Sequence, residues 1–180
     1  MSWKQLEGDL LFACGYETRG ICNTSYLEQS VSCWYDGLMI SVKYDDYNNL
    51  LIIKGMCVEH PGRGRARELM ENWKIFCDIY KCRIFLFAMR SEDKNGYMVF
   101  PKLGFDGPLL DVEEYPDPES QYQELIRLFS LNFELDPEWD FPMIREFVKK
   151  GKLTVQALIA EMGPAFWQMY GYSVVLDYAP

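Results

Sequence analysis

The chain has 180 residues, of which 49% are hydrophobic and 16% aromatic, enough to bury a core in one domain or one domain with an appended subdomain. Charged residues make up 25% and form no long polar run, which excludes extended disorder except at the ends. The net charge of −9 excludes a general nucleic-acid binder, which needs a basic face to displace counterions. No apolar stretch reaches the about 18 residues of a membrane-spanning helix.

Six cysteines, Cys14, Cys22, Cys33, Cys57, Cys77 and Cys82, form no CxxC pair, and the last three lie in apolar runs. The N-terminal stretch has no basic segment leading into an apolar one. Reduced cysteines in a cytoplasmic protein are therefore expected. His60 is the only histidine, and the cysteine spacings match no zinc knuckle, so no metal is expected.

Leu10 to Cys14 is a short apolar run, and Thr24 to Trp34 reads as a helix begun at Asn23 or Thr24. From Leu38, Ile40, Val42 and Tyr44 alternate with Ser41 and Lys43, the period of a half-buried strand. Asp45 to Asn49 is a turn signal, and Leu50 to Val58 is nearly all apolar. Together they predict an antiparallel hairpin whose second strand is buried on both faces near the sheet centre. Cys57, within that strand and without a basic partner nearby, reads as a buried core cysteine rather than a nucleophile.

Pro61, Gly62 and Gly64 break the strand. Leu69, Trp73, Phe76, Cys77 and Tyr80 then recur at helical spacing, and Arg83 to Met89 is a short buried strand. Strand, helix and strand in this order predict a parallel pair joined by a crossover. Asp93 to Leu103 reads as a short helix ended by Gly104, and Phe105 to Glu113 as the place of one more strand. Asp117-Pro118 and Asp136-Pro137 each read as an N-cap followed by a first-turn proline. Apolar stripes at Tyr122–Phe129, Ile144–Val148 and Val155–Met162 predict helices, and Ser173 to Tyr178 a final strand.

The segment His60 to Leu69, HPGRGRAREL, carries the main chemical signal. A glycine turn between a strand and a helix leaves backbone N–H groups unpaired at the positive end of the helix dipole. Gly62 and Gly64 let an anion approach the backbone, and Arg63, Arg65 and Arg67 add charge suited to phosphate oxygens. The bland alternative is a Pro-Gly turn with solvated arginines. Neither GxxxxGK followed by Ser or Thr nor GxGxxG is present.

These residues resemble the GNAT superfamily of N-acetyltransferases. That family carries Gln or Arg, two residues, Gly, one residue, then Gly or Ala, with leucine three residues later; Gly64, Ala66 and Leu69 match. Downstream it tends to show asparagine, a small residue and Tyr-x-Lys-Leu-Gly-Phe. Here Asp93, Gly96 and Phe100-Pro-Lys-Leu-Gly-Phe105 stand in those places. The resemblance covers about residues 38–105. It implies an α/β (α+β) fold, a mixed central sheet flanked by helices, with a GNAT-like core over 1–116 and a mostly helical extension over 117–180 that possesses enough aromatics (Trp139, Phe141, Phe166, Trp167, Tyr170) to complete the core or present a surface for a protein partner or self-association.

The resemblance further implies acetyl-CoA as co-substrate, without metal. Its pyrophosphate would lie on Val58, Gly62, Arg63, Gly64, Arg65, Ala66 and Arg67. Glu59 is then the candidate base for a small-molecule or protein amine and Tyr97 the candidate acid for the leaving thiolate. Pro61 stands where Gln or Arg is usual, and Phe100 where the acid tyrosine is usual. These departures motivate a second reading, a catalytically inactive fold relative serving as a structural or binding component of a larger assembly, such as a virion. A CoA-binding sensor is a third. Neither nucleic acid nor membrane is an expected partner. The acidic run Asp111 to Glu119 reads as a solvated linker or a lure for a cationic partner.

Overall fold

A computed structural model describes residues 2–16, 20–59, 64–91, 94–131 and 141–179. The order of elements is α1 (Trp3–Ala13), β1 (Ile21–Ser25), β2 (Ser30–Tyr35), β3 (Leu38–Asp45), β4 (Leu50–Val58), α2 (Arg65–Tyr80), β5 (Arg83–Ala88), β6 (Arg90–Ser91), β7 (Lys94–Asn95), α3 (Gly96–Lys102), α4 (Pro118–Ser130), α5 (Pro142–Lys149), α6 (Val155–Met162), α7 (Pro164–Tyr170) and β8 (Val174–Tyr178). The fold is mixed α/β: a six-stranded sheet in the order β1-β2-β3-β4-β5-β8, and a small β6–β7 ribbon. The chain packs into two units, Met1–Leu86 with Asp177–Pro180, and Phe87–Leu176.

In the first unit β1 to β4 form an antiparallel meander and β4 pairs in parallel with β5 across α2. The expected hairpin and the expected parallel pair are both present. The segment Thr24 to Trp34 is not a helix; it forms most of the β1–β2 hairpin. Val31 and Cys33 point inward while Ser32 and Trp34 point outward, and this alternation satisfies a strand. Asp36 and Gly37, both at positive φ, make a two-residue turn into β3. Such a turn matches the right-handed twist of the strands it joins.

The expectation that β4 is buried on both faces is corrected. Leu51 and Ile53 are buried opposite Tyr44 and Val42. Ser41 then pairs with Gly55 and Val42 with Ile53, which leaves Lys54 as an extra residue on β4. The bulge reverses the parity of the strand. Met56 and Val58 therefore continue the inward face, opposite Ile40 and Leu38, and Cys57 turns outward opposite Met39. Cys57 is exposed rather than a core cysteine. The apolar residues on either side of Lys54 thus reflect a parity switch, not two buried faces.

α1 and α2 cover the inner face. Leu6, Leu10 and Ala13 of α1, with Leu69, Met70, Trp73, Phe76 and Cys77 of α2, are buried with Val31, Cys33, Ile40, Val42, Leu51 and Ile53 of the strands. α2 ends at Lys81 in the left-handed region, and Asn49 fastens that end by donating to the Lys81 carbonyl at 2.5 Å.

The second unit is largely helical. α3 ends at Leu103 and Gly104, whose φ of 94° lets the chain reverse and bury Phe105 against Phe100. The Gln156 amide of α6 donates to the carbonyls of Pro101 and Phe105, and the Asp106 carboxylate accepts from the backbone of Gln156 and Gly107. The strand expected within Phe105 to Glu113 is absent from these described residues, which instead carry bridge residues at Asp106 and Pro108, the latter paired with Thr154. Asp117 caps α4 by accepting from Glu119 and Ser120, as Asp-Pro predicted. The second Asp-Pro, at 136–137, lies outside the described residues. Tyr122, Leu125, Ile126 and Phe129 of α4 bury one stripe, and Ile144, Phe147 and Val148 of α5 another.

Two predictions arise here. Trp73 is fully buried, so Trp73→Ala should cost about 3–5 kcal/mol, read as a fall in the urea midpoint at unchanged fold by circular dichroism. The second concerns acid. Backbone and side-chain bonds from Ser120 lower the Asp117 pKa, Arg145 lowers that of Glu119, and Arg127 lowers that of Glu124. Folded values below the unfolded ones give stability that is present above the ordinary carboxylate pKa of about 4 and lost as pH falls through the folded values. Urea midpoints measured from about pH 6 down to about pH 3 should therefore decline, and Glu124→Gln should show a flatter decline.

Candidate functional site

β4 ends at Val58, and the Glu59 N–H donates to the Gly37 carbonyl at 2.8 Å. Gly37 is constrained twice. Its φ is 68°, and a Cβ there would lie 3.1 Å from Glu59 Oε2. The glycine thus seats the Glu59 side chain against the β2–β3 turn while leaving Glu59 exposed. His60, Pro61, Gly62 and Arg63, the first half of the expected phosphate turn, lie outside the described residues.

The description resumes at Gly64, which has φ 79° and caps α2 without a side chain. Its carbonyl accepts from Arg67 and Glu68 at 3.0 and 3.1 Å, which starts the helix. Space around Gly64 is open: a Cβ added there would meet nothing within 4 Å. The amides of Arg65 and Ala66 lie in the first turn, ahead of these helical bonds, at the positive end of a 16-residue helix.

The two described arginines, Arg65 and Arg67, are not equivalent. Arg65 is bound to the Asp36 carboxylate and, at 3.1 Å, to Glu68, and the Asp36 bond raises its pKa. Its guanidinium ties the helix start to the β2–β3 turn. Arg67 is exposed and makes no ion pair among the described residues. Of the two described arginines of this turn, Arg67 is the one left to meet an external anion. The structure thus brings Val58, Glu59, Gly64, Arg65, Ala66 and Arg67 together around one strand end and one helix start. The residues that sequence reading missed are Asp36 and Gly37, which touch both sides; an Asp-Gly pair between two strands is a hairpin signal.

β4 has one further property relevant to a ligand. Its parallel ladder with β5 runs from Leu50–Arg83 to Ile53–Leu86, whereas its ladder with β3 continues to Val58. The half of β4 beyond the bulge carries exposed Cys57 and half-buried Gly55, Met56 and Val58.

Tyr97 belongs to the second unit. It is 4% exposed, its hydroxyl donates to the Gln168 carbonyl at 2.9 Å, and Arg90 lies 4.8 Å over its ring. Trp167 donates from its indole to the Tyr97 carbonyl at 2.8 Å. Phe100 is buried as well. Met98, Pro101, Lys102, Ile159 and Trp167 line a cavity of about 220 Å³ in this unit, below the about 300–1,000 Å³ of drug-sized ligand pockets. In the acidic run, Asp111 accepts from the Glu113 backbone and Asp117 caps α4. No group of three or more metal-ligating side chains occurs among the described residues.

No protein-family model matches the chain, and no curated protein or solved structure matches it. Among the described residues no helix is long and apolar enough to cross a membrane.

The Arg65–Asp36 bond should be visible as coupling. In a double-mutant cycle, Arg65→Ala and Asp36→Ala should be non-additive by about 0.2–1 kcal/mol in urea unfolding, while Arg67→Ala with Asp36→Ala should be additive.

Proposed function

We propose that the chain is a GNAT-like, acetyl-CoA-dependent N-acyltransferase acting on an amine. The observation that carries this reading is the parallel β4–α2–β5 unit, in which α2 begins at an open, side-chain-free Gly64 and β4 outruns its ladder with β5. The first-turn amides of Arg65 and Ala66, without a partner among the described residues, suit the coenzyme's pyrophosphate. Arg67 supplies the described cation, and Gly62 and Arg63 complete the motif in sequence. The chemistry is direct attack of a deprotonated amine nitrogen on the thioester carbonyl, expelling the CoA thiolate. Glu59, exposed at the end of β4, is the base of this reading. The free cysteines fit a cytoplasmic setting.

One observation favours a second reading. Tyr97 is buried with its hydroxyl engaged and Phe100 has none, so the second unit offers no ready proton donor at the two motif positions. This supports a binding or structural component of an assembly, virion or otherwise, that retains the fold without turnover.

Calorimetry with acetyl-CoA distinguishes the outcomes. The first reading expects binding, weakened about tenfold by Arg67→Glu, together with thiol release on adding an amine. Binding without thiol release favours the second reading, and no binding at about 1 mM ligand to folded protein rejects the first.

A further inference from the structure

Three thiols meet where α1 approaches the edge hairpin. Cys22 on β1 and Cys33 on β2 are direct register partners. Antiparallel partners have Cα atoms about 4.5–5.5 Å apart, within the about 4.4–6.8 Å that a disulfide spans. Their sulfurs are 3.5 Å apart as free thiols. Cys14, the C-cap of α1, is hydrogen-bonded to Cys33, and Tyr35 fixes it by donating to its carbonyl at 2.7 Å.

Access to the three is unequal. Cys14 and Cys33 are completely buried, whereas Cys22 is only half-buried, on the outermost strand of the sheet. A second close pair supplies the contrast. Cys77 and Cys82 have sulfurs 3.4 Å apart, but they are 1% and 2% exposed. Proximity is alike in both pairs, and only the first includes a cysteine that is not buried.

We propose that Cys22 and Cys33 are a site of oxidative modification, at which a peroxide closes a disulfide across the β1–β2 hairpin. The Cys22 sulfur attacks one peroxide oxygen, the O–O bond breaks, and Cys22 becomes a sulfenic acid with release of water. Cys33 then attacks that sulfur, the S–O bond breaks, and a second water leaves with the Cys33 proton. Two thiols lose two electrons, and hydrogen peroxide is reduced to two waters. Access sets this division of labour, since Cys22 is half-buried on the edge strand and Cys33 is completely buried beside it. The hydrogen bond from Cys14 holds the Cys33 thiol below its ordinary range, while burial, reinforced by Cys33, pushes Cys22 up to about 12. Cys22 reacts as its thiolate, so the oxidation should quicken as pH rises. The product joins the edge strand covalently to its neighbour.

The test treats the reduced full-length protein with hydrogen peroxide, alkylates remaining thiols, and maps peptides without reduction. The expected result is a Cys22–Cys33 cross-link with the loss of two hydrogens, while Cys77 and Cys82 are alkylated only after unfolding. Cys33→Ser should leave a Cys22 sulfenic acid that dimedone labels. Cys22→Ser should slow oxidation of Cys14 and Cys33 by at least about tenfold. Cys22 oxidised to sulfinic acid beside an alkylatable Cys33 would overturn the proposal. So would a Cys77–Cys82 bond forming as fast, or unreactive Cys22 in protein shown to be folded.

Discussion

The parity of β4 is the constraint on which the first unit depends. A strand shows alternate faces, so the apolar set must stay on the side that the helices cover. Leu51 and Ile53 meet this rule up to the bulge at Lys54, and Met56 and Val58 meet it beyond. Without the extra residue, the second half of β4 would turn its apolar side chains away from α1 and α2. The same residue sends Cys57 outward and carries the strand to Glu59, where the backbone meets Gly37. A single inserted residue thus keeps the core continuous and delivers the strand end to the β2–β3 turn.

At that turn the electrostatics are largely internal. Arg65 joins Asp36 to Glu68, so it orients α2 relative to the hairpin rather than facing solvent as a free cation. The anion-binding capacity of the described segment rests on first-turn amides, on the open space around Gly64 and on Arg67. In the second unit, Gln156 and Asp106 hold the chain after α3, and Trp167 and Gln168 bond to Tyr97. There the side chains that looked chemical in sequence serve as packing and as hydrogen-bond partners of the backbone.

Legibility followed burial. β3 was readable because alternate residues of a half-buried strand must differ in polarity, and α2 because Leu69, Trp73, Phe76 and Cys77 repeat at helical spacing. Asp117-Pro118 marked α4 through local hydrogen bonding that requires no distant partner. β1 was not readable. As an edge strand with no fully buried residue, Ile21–Ser25 carries no periodic signal. The bulge was marked by Lys54-Gly55, the one break in an otherwise apolar strand, but a glycine in a strand does not by itself say that parity changes. Of the candidate site, the glycine and arginine cluster was visible, but the Asp36 that engages Arg65 lies 29 residues earlier and no local pattern links them.

What the sequence by itself determined is the kind and order of the strongly periodic elements, including the strand, helix and strand that make the parallel pair. Those features arise from interactions within a few turns or alternations of the chain. Only the tertiary structure decided which face of β4 points inward, which arginine is bound to Asp36, that the Tyr97 hydroxyl is engaged, and that Cys22 and Cys33 lie side by side with one of them only half-buried. Each depends on groups distant along the chain, brought together by strand register and by the burial of a shared core.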